Sequence, residues 1–299
     1  MTKSLVTGGC GFIGSHLVDQ LVSIGHEVIV LDRVYPIHEN KKAKYYLQDL
    51  SDNYVKFLHL FEGVTNIFHL ASDVSIPYCV QKPNESMANN TLSTMNVLEC
   101  AKIHNVNKVI FSSTSAVYGN TLFIPSVETN SVECLNTYSI SKYTGEQLCK
   151  MYYRLYGLKT VIFRYFNVYG ERQHKTGQYA PVMSIFMNQK SKGEPLTVIG
   201  EGYQTRDFVH VSDIVIANIL ASQRDLDSYG EVFNVGTGEG IEIKEIADLI
   251  SSYQIFIPER PGEVLHSRSN NDKIKTYLGW NYNIKVLDWI KKQIKNGQK

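Results

Sequence analysis

The most restrictive feature of the sequence is a glycine-rich turn between a short apolar run and an amphipathic helix. The run Ser4-Leu5-Val6-Thr7 predicts a buried strand, and the turn that follows, residues 8–14, reads Gly-Gly-Cys-Gly-Phe-Ile-Gly. Apolar residues then recur at helical spacing until Gly25. Positions without side chains let the backbone approach a pyrophosphate, and a helix amino terminus offers unpaired N–H groups. The order of strand, glycine turn and helix therefore favours a dinucleotide site, although tight turns also collect glycines for steric reasons alone.

The next apolar run ends in a carboxylate at the place where a dinucleotide fold needs one. Residues 27–32 predict the second strand, and Asp32 lies 18 residues beyond Gly14. A carboxylate there accepts a hydrogen bond from the adenosine ribose 2′-hydroxyl and repels a 2′-phosphate, so NAD is favoured over NADP. Arg33 works against this preference, because an arginine beside the carboxylate can accommodate the phosphate. The alternative is that Asp32 is only a turn residue at the end of a strand.

Near-continuous apolar runs alternate with helical segments through the first half of the chain. Such runs predict a parallel sheet covered by helices on both faces, and ligands of such sheets bind beyond the carboxyl ends of the strands. The hydroxyl run Ser112-Ser113-Thr114-Ser115 lies at one of these ends, with turn formation or helix capping as its alternative role. Further strands are predicted at residues 66–71, 108–112 and 160–164, and helical segments at 87–103 and from 136–142 toward Tyr156.

The second half of the chain is less regular, since glycine and proline divide residues 168–202 into short pieces. The predicted fold is α/β: a Rossmann-type doubly wound parallel sheet with a smaller mixed α/β substrate-binding lobe. We place the NAD-binding domain at residues 1–166 and the substrate lobe at residues 167–299, with a segment near 206–236 that returns to the main sheet. The predicted elements here are a strand at 197–199, a helix from Ser212 toward Ala221, a strand at 231–235 and a last helix around 284–294.

Tyr138 and Lys142 carry the pattern most suggestive of catalysis. They stand four residues apart, so on a helix they share a face and differ in height by about 6 Å. A free tyrosine has a pKa of about 10, and an adjacent cation lowers it. We therefore expect Lys142 to lower the pKa of Tyr138 and make it an effective base. Because the chain has 19 tyrosines, an ordinary surface pair is the alternative.

The overall composition argues against several classes of protein. With a formal net charge of +1, nothing favours a nucleic acid or a membrane surface as a partner. No run of about 20 apolar residues is present, so no membrane span is expected. The five cysteines are odd in number and form no Cys-x-x-Cys pair, which favours a reducing, cytoplasmic setting. No metal site is expected.

Taken together, these segments resemble the extended short-chain dehydrogenase/reductase family, and within it the nucleotide-sugar epimerases of the UDP-glucose 4-epimerase type. The resemblance covers nearly the whole chain in order and spacing. The matching segments are residues 7–14, 111–119, Tyr138 with Lys142, 164–170, 205–211, 233–236 and 260–263.

The resemblance implies NAD as the cofactor, a nucleotide-diphosphate sugar as the substrate, and a homodimer formed through helices of the first domain. The residues that it assigns to the cofactor are Gly8, Gly11, Phe12, Ile13, Gly14, Asp32, Asp49, Leu50, Leu70, Ala71, Ser72, Asn90, Ser112, Tyr138, Lys142 and Tyr165. Those that it assigns to catalysis are Thr114, Tyr138 and Lys142. Those that it assigns to the substrate are Ser113, Thr114, Tyr138, Asn167, Arg206, Arg260 and Glu263.

The activity that the resemblance implies is epimerisation at carbon 4 of the sugar. Tyr138, as a phenolate, would take the 4-hydroxyl proton while NAD takes the hydride, and a transient 4-ketosugar would receive both back. Ser115 and Ala116, which follow Thr114, lack the acid and base that the dehydratases and decarboxylases of the family carry there. An NAD(P)H-dependent 4-ketosugar reductase and an epimerase acting at another carbon stay open. A nucleotide-sensing protein without turnover is the alternative from a different class.

Two positions depart from the pattern of these epimerases. Ile199 stands where the family commonly has an aromatic residue near the nucleotide base. Ser267, seven residues after Arg260, matches the position that limits the substituent at sugar carbon 2, and its small side chain would leave space for an N-acetyl group.

Overall fold

A seven-stranded sheet forms the centre of the computed structural model, which describes residues 2–173, 181–259 and 264–297. In chain order the strands are β1 Lys3–Thr7, β2 Glu27–Asp32, β3 Lys44–Leu47, β4 Asn66–His69, β5 Lys108–Thr114, β6 Thr160–Tyr165, β7 Asn167–Tyr169, β8 Leu196–Ile199, β9 Thr205–Arg206, β10 Phe208–His210, β11 Glu231–Val235, β12 Ile241–Glu242 and β13 Gln254–Ile257. The large sheet has the order β11-β6-β5-β4-β1-β2-β3, and every neighbouring pair in it is parallel. The predicted doubly wound parallel sheet is confirmed.

Helices cover both faces of this sheet. They are α1 Phe12–Ser23, α2 Ile76–Gln81, α3 Pro83–Met87, α4 Ser93–Ile103, α5 Thr137–Tyr156, α6 Val182–Ser191, α7 Val211–Gln223, α8 Ile243–Ile250, α9 Asp272–Leu278 and α10 Val286–Gly297. On one face, Leu17 of α1 and Ile214 of α7 share a buried core with the strands. On the other face, Leu98 of α4 and Cys149 of α5 do the same. Each fully buried Leu or Ile stabilises the fold by about 1.5–3 kcal/mol, so the two cores fix the strand ends firmly.

The strands differ from the sequence prediction mainly at their ends. β4 ends at His69, two residues before the predicted end, because the Ala71 N–H donates to Thr7 Oγ1 at 3.2 Å instead of joining a strand ladder. β3 was not predicted at all. It is a short, mostly exposed edge strand whose sequence, Lys-Tyr-Tyr-Leu, has no buried run to reveal it.

The helical segment predicted at residues 87–103 is interrupted. α3 passes at Ala88 into a π turn, Ala88–Leu92, and α4 begins only at Ser93. A π turn contains more residues than an α turn, so it changes the directions in which successive side chains point. Such turns are frequent at functional sites, and this one faces the carboxyl end of β4 through Asn89 and Asn90.

The second lobe is built from short paired strands and three helices. β7 pairs with β10 and β8 with β13 in parallel, whereas β9 pairs with β12 antiparallel. Phe186 of α6, Ile246 of α8 and Ile290 of α10 form its core. The helices α6, α8 and α9 and the strand β13 were not predicted, because each is short.

The chain passes back and forth between the two lobes. After β6 it leaves the large sheet at Phe166 and enters the second lobe with β7. It later returns, because β11 pairs in parallel with β6, while α7 packs against α1. The sequence had placed the returning segment near residues 206–236. The cleft between the lobes therefore opens at the carboxyl ends of the parallel strands.

The described residues were also searched for disulfides, membrane-spanning helices and metal-binding groups. All five cysteines lie among the described residues as free thiols. None of the helices described has the length and apolar character needed to cross a bilayer. In the same part of the chain, no group of three or more His, Cys, Asp or Glu side chains is placed to hold a metal ion.

Candidate active site

A cavity of about 980 Å³ lies at the carboxyl ends of the parallel strands, between the sheet and the second lobe. It collects most of the residues that the sequence pointed to. The predicted residues that line it are Gly8, Gly11, Phe12, Ile13, Gly14, Asp32, Asp49, Leu50, Leu70, Ala71, Ser72, Ser112, Ser113, Thr114, Tyr138, Lys142, Tyr165, Asn167 and Arg206. Asn90 does not line it, and Arg260 and Glu263 lie outside the described residues.

The glycine turn forms one wall of this cavity, and the backbone packing there leaves no room for side chains. A Cβ on Gly14 would stand 2.2 Å from the Gly8 carbonyl oxygen, and one on Gly8 would stand 2.7 Å from the Ala71 nitrogen. Gly8 also has φ of +69°, which a residue with a side chain rarely adopts. Gly11 caps α1 without a side-chain hydrogen bond, so the first N–H groups of the helix stay open to a ligand. The cradle therefore suits the pyrophosphate of a dinucleotide.

Asp32 ends β2 with its carboxylate fixed against the same turn. Its Oδ2 accepts a hydrogen bond from the Cys10 N–H at 3.0 Å, and its Oδ1 accepts one from the Val34 N–H at 3.2 Å. Each carboxylate oxygen has a second lone pair that can accept a ribose hydroxyl. Asp32 and the glycine cradle line one continuous wall, which is the arrangement that an NAD site requires.

Tyr138 and Lys142 lie in the first turns of α5, whose start is fixed by a capping box. The Ser139 N–H donates to Asn136 Oδ1 at 2.9 Å, and the Asn136 N–H donates to Ser139 Oγ at 3.3 Å. Both functional side chains line the cavity. The cap therefore sets where a phenol and an amine on one helix face enter the site.

The expectation that Lys142 lowers the pKa of Tyr138 was wrong. Burial raises the pKa of Tyr138 to about 12, and a hydrogen bond with the Thr114 side chain offsets this only in part. Burial also lowers the pKa of Lys142 to about 8, and its Nζ lies 4.6 Å from the centre of the Phe111 ring. Desolvation disfavours the charged form of both groups, and it outweighs their proximity in sequence.

Thr114 is oriented toward Tyr138 by its own turn. Its Oγ1 accepts the Ala116 N–H at 3.1 Å at the start of the short 3₁₀ turn Ser115–Tyr118. With that lone pair engaged, the Thr114 hydroxyl proton is free to donate to the phenol oxygen, which favours the phenolate. The structure thus joins two of the three predicted catalytic residues.

A buried network beneath the site was missed in the sequence. Ser113 Oγ donates to Glu146 Oε1 at 2.5 Å, and Arg164 holds both oxygens of Glu146, at 2.9 and 2.7 Å. Glu146 lies on α5 two turns after Tyr138, so the spacing Tyr-x₃-Lys-x₃-Glu was the available signal. The hydroxyl proton of Ser113 is committed to Glu146, which leaves its oxygen to accept from a ligand.

Asn90, which the resemblance assigns to the cofactor, lies behind the cavity wall and not on it. Its side chain is buried and does not reach the cavity. Its Oδ1 accepts the Asp73 N–H at 2.7 Å, and its Nδ2 donates to the Asp73 carbonyl at 3.0 Å and to Ser141 Oγ at 2.9 Å. Ser141 Oγ in turn donates to the carbonyl of Tyr138 at 2.8 Å. Asn90 therefore ties the loop after β4 to the first turns of α5.

Tyr165 and Ser112 meet at the ends of β6 and β5. Ser112 Oγ donates to the Tyr165 hydroxyl at 3.3 Å, and Asn218 Nδ2 of α7 donates to the same oxygen at 2.8 Å. Burial raises the pKa of Tyr165 to about 12, so it stays a neutral phenol at neutral pH. Asn218 lies behind this wall, and the sequence analysis did not single it out, since nothing local connects it with Tyr165.

The second lobe supplies the opposite wall of the cavity. The Arg206 Nη1 donates to the carbonyl of Thr205 at 2.9 Å, and the Asn167 N–H donates to the carbonyl of Asp207 at 2.9 Å. Ile199 lines the cavity, whereas Ser267 does not, and the Ser267 N–H donates to the Thr205 carbonyl at 3.1 Å. The expectation that Ser267 borders the sugar is therefore not met in this conformation.

His69 of β4 is a packed strand histidine. It is buried, with one ring nitrogen 2.7 Å from Thr7 Oγ1 and the other 3.0 Å from Thr94 Oγ1. Burial lowers its pKa to about 3, so the ring is neutral.

Comparison with known proteins agrees with this geometry. A family model described as the NAD dependent epimerase/dehydratase family matches residues 4–236. The chain is 36% identical to a putative UDP-glucose 4-epimerase of Methanocaldococcus jannaschii, over 97% of this chain and 96% of that one. A Thermotoga maritima UDP-glucose 4-epimerase, solved with UDP-glucose, superposes with a TM-score of 0.93 at 33% identity, over 100% of both chains. A UDP-N-acetylglucosamine 4-epimerase of Methanobrevibacter ruminantium was solved with UDP-N-acetylmuramic acid. It superposes with a TM-score of 0.91 at 31% identity, over 98% of this chain and 97% of that one.

Proposed function

The chain belongs to the NAD-dependent epimerase/dehydratase family, and from this premise we propose that it inverts carbon 4 of a UDP-hexose. The observation that carries the proposal is that Thr114, Tyr138 and Lys142 line the same cavity as the glycine cradle. An acid–base pair and a dinucleotide site that share one cavity can act on one carbon atom.

NAD is the cofactor of the family, and the residues present fit it. The glycine cradle would hold the pyrophosphate, and Asp32 would accept a hydrogen bond from the adenosine ribose. Asp49 and Leu50 would meet the adenine, and Lys142 with Tyr165 would meet the nicotinamide end. When bound, NAD supplies an acceptor for the hydride of carbon 4 and gives that hydride back.

Tyr138 is the base that would take the proton of the sugar 4-hydroxyl. The phenol is protonated at neutral pH in the protein alone, so the complex must stabilise the phenolate. The Thr114 hydroxyl can donate to the phenol oxygen, and positive charge near that oxygen favours the anion. Lys142 can supply that charge, because it lines the same cavity and its pKa of about 8 keeps it largely protonated at neutral pH. The same phenol would then return the proton after the 4-ketosugar has turned in the site.

The turn after Thr114 argues against dehydration and decarboxylation. Ser115–Tyr118 forms a 3₁₀ turn in which Ser115 and Ala116 follow Thr114 directly. Neither residue can serve as the acid or base that expels a 6-hydroxyl or promotes loss of a carboxylate. A reaction confined to carbon 4 needs only the groups that are present.

Incubation with UDP-glucose, UDP-galactose and UDP-N-acetylglucosamine, without added reductant, tests the proposal. We expect interconversion of 4-epimers at constant NAD. Stoichiometric consumption of NADPH with a 4-ketosugar would support a reductase. Inversion at another carbon would show an epimerase that acts at that carbon. Binding without turnover would support a sensor.

Tyr138→Phe is the decisive variant. General acid–base groups typically contribute about 10²–10⁴-fold to rate, so we expect turnover to fall by that factor while NAD still binds. Tyr143→Phe is the matched control, because Tyr143 lies on the same helix, packs in the cluster with Tyr118 and does not line the cavity. An active Tyr138→Phe enzyme would reject the assigned base.

We also propose a homodimer in the reducing environment of the cytoplasm. Free thiols at all five cysteines suit such a compartment. Helices of the first domain carry exposed apolar residues that a second copy could cover, namely Met95, Ile103, Ile140, Leu155 and Tyr156. Light scattering after size exclusion gives the mass directly, and Leu155→Glu should shift it toward the monomer. A monomeric mass for the unaltered protein would contradict the dimer.

A further inference from the structure

An ion pair crosses the cofactor side of the cavity. Arg33, the first residue after β2, donates from Nη2 to the carboxylate of Asp73 in the loop after β4. Both residues line the cavity, together with the glycine turn. The sequence pointed to Arg33 only as a group that could hold a 2′-phosphate, and Asp73 carried no signal.

The sheet order fixes what this contact spans. β1 lies between β2 and β4, and the glycine turn follows β1 directly. A contact between a residue just after β2 and one just after β4 must therefore pass across the carboxyl end of β1. The pair thus bridges the channel in which the adenosine half of a dinucleotide is expected, since Asp32 begins that channel.

Asp73 is the fixed partner of the pair. Its side chain is only 1% exposed, against 49% for Arg33. Asn89 Nδ2 donates to Asp73 Oδ2 at 2.7 Å, while Asn90 holds the backbone of Asp73 on both sides. Both asparagines come from the π turn. The carboxylate is thus oriented by the protein interior, and the guanidinium is drawn to it from the surface.

This pairing alters what an arginine beside Asp32 can do. A free guanidinium there would attract a 2′-phosphate. Arg33 can turn to such a phosphate only by leaving the buried Asp73 carboxylate without its cation, and an unpaired buried charge is strongly unfavourable. Asp32 and Asp73 together also place two carboxylates near the same end of the channel, which repel a phosphate further.

We propose that Arg33 and Asp73 form a clasp across the adenosine end of the channel, and that through this clasp Asp73 sets the preference for NAD over NADP and slows the release of NAD. Asp73 is then a specificity-determining residue that acts through Arg33. The proposal rests on the cofactor of the family and stands independently of the sugar that the enzyme uses.

Four variants of the full-length protein, stripped of cofactor, test the clasp: Asp73→Asn, Arg33→Gln, the double variant, and Glu85→Gln as control. Glu85 forms an exposed ion pair with Lys82 on α3 and does not line the cavity. The measurements are the dissociation constants of NAD and NADP by calorimetry and the NAD dissociation rate by stopped flow. Thermal unfolding is recorded for each variant.

Asp73→Asn should release Arg33. We expect NADP to bind about tenfold tighter and NAD to dissociate about tenfold faster, the size of one charge-assisted hydrogen bond. The double variant should keep the faster NAD release but lose the NADP gain, because the arginine that holds the phosphate is gone. Arg33→Gln should release NAD faster with no NADP gain, and Glu85→Gln should match the parent protein.

Three outcomes would overturn the clasp. In the first, Asp73→Asn leaves both the NADP to NAD affinity ratio and the NAD release rate unchanged. In the second, the NADP gain persists in the double variant, which means that Arg33 is not the responding group. If Asp73→Asn fails to fold, Arg33→Gln decides alone, because Asp73 keeps its hydrogen bond from Asn89 when the guanidinium is gone and thermal unfolding reports whether the variant is folded. Unchanged NAD release in that variant is the third outcome.

Discussion

The two walls of the cavity are built on different principles. On the sheet side, backbone atoms form the surface, and a Cβ added at Gly14 would stand 2.2 Å from a carbonyl oxygen. On the side of the second lobe, the surface is formed by side chains carried on very short strands, such as Arg206 on the two-residue β9. Backbone positions in a parallel sheet are fixed by the ladder on each side, whereas a side chain on a short strand can be exchanged without moving the fold.

This contrast between the two walls explains how one fold can keep its cofactor and change its substrate. The sheet wall offers N–H groups and small spaces that suit the invariant parts of a dinucleotide. The second wall offers charged and apolar side chains, including Arg206 and Ile199, and under the proposed function their identity would decide which nucleotide sugar fits. Substitutions should accordingly have all-or-none effects on the first wall and graded effects on the second.

Gly14→Ala should have the largest effect. The new methyl group would force the turn apart, and overpacking of this kind together with a displaced helix terminus should weaken NAD binding at least about a hundredfold. Calorimetric titration with NAD measures it. Gly240→Ala in the second lobe is the control, because a Cβ there would meet its nearest neighbours only at 3.6 Å, an ordinary contact. Equal NAD affinity in both variants would erase the contrast between the walls.

Arg206→Met should have an intermediate and selective effect. If Arg206 binds the nucleotide diphosphate, removal of a charge-assisted hydrogen bond should raise KM for the nucleotide sugar about tenfold to a hundredfold. NAD affinity should stay the same, since Arg206 lies on the opposite wall. Arg154→Met on α5, outside the cavity, controls for the loss of one positive charge. An unaltered KM would remove Arg206 from the site.

His69→Gln should have the smallest effect, on stability alone. The neutral, buried ring has a pKa of about 3, below the value of about 6.5 in the unfolded chain, so the unfolded state binds more protons. The contribution of His69 to the free energy of unfolding is therefore complete above about pH 6.5. As the pH decreases from there, the free energy of unfolding falls by up to about 1.4 kcal/mol per pH unit.

Urea unfolding at several pH values between 7 and 4 measures this slope, which the His69→Gln variant should lose in part. His210 is the counterpart in the second lobe. Burial lowers its pKa too, but the nearby Glu171 acts against burial, so His210→Gln should change the slope less. A larger change of slope in His210→Gln than in His69→Gln would show that His69 is not the more strongly desolvated of the two histidines.

The sequence predicted those parts of the molecule whose physical cause is local. Apolar runs separated by helical segments predicted the alternation of strands and helices along the chain, and the sterics of Gly8 and Gly14 predicted the cradle. The spacing of Tyr138 and Lys142 placed both on one face of α5, and both line the cavity. Each of these inferences needs only a few neighbouring residues.

What the sequence could not supply depends on contacts between distant residues. The pKa of Tyr138 is governed by burial, which arises only when α5, β5 and the neighbouring loops come together. Arg164 and Glu146 come from different elements, as do Arg33 and Asp73, so no spacing rule connects them. β3 and β13 are short and largely exposed, and only their partners reveal them.

Because of the π turn at Ala88–Leu92, the cavity wall depends on the exact number of residues in this helical segment. Each residue of an α-helix turns the following side chains by about 100°, and the extra residue of a π turn allows the consecutive Asn89 and Asn90 both to reach Asp73. Deletion of a single residue here would restore a regular helix and rotate one of the two asparagines away, although every side chain of the site would still be present. An insertion or deletion in this helix should therefore disturb the cofactor site more than most substitutions do.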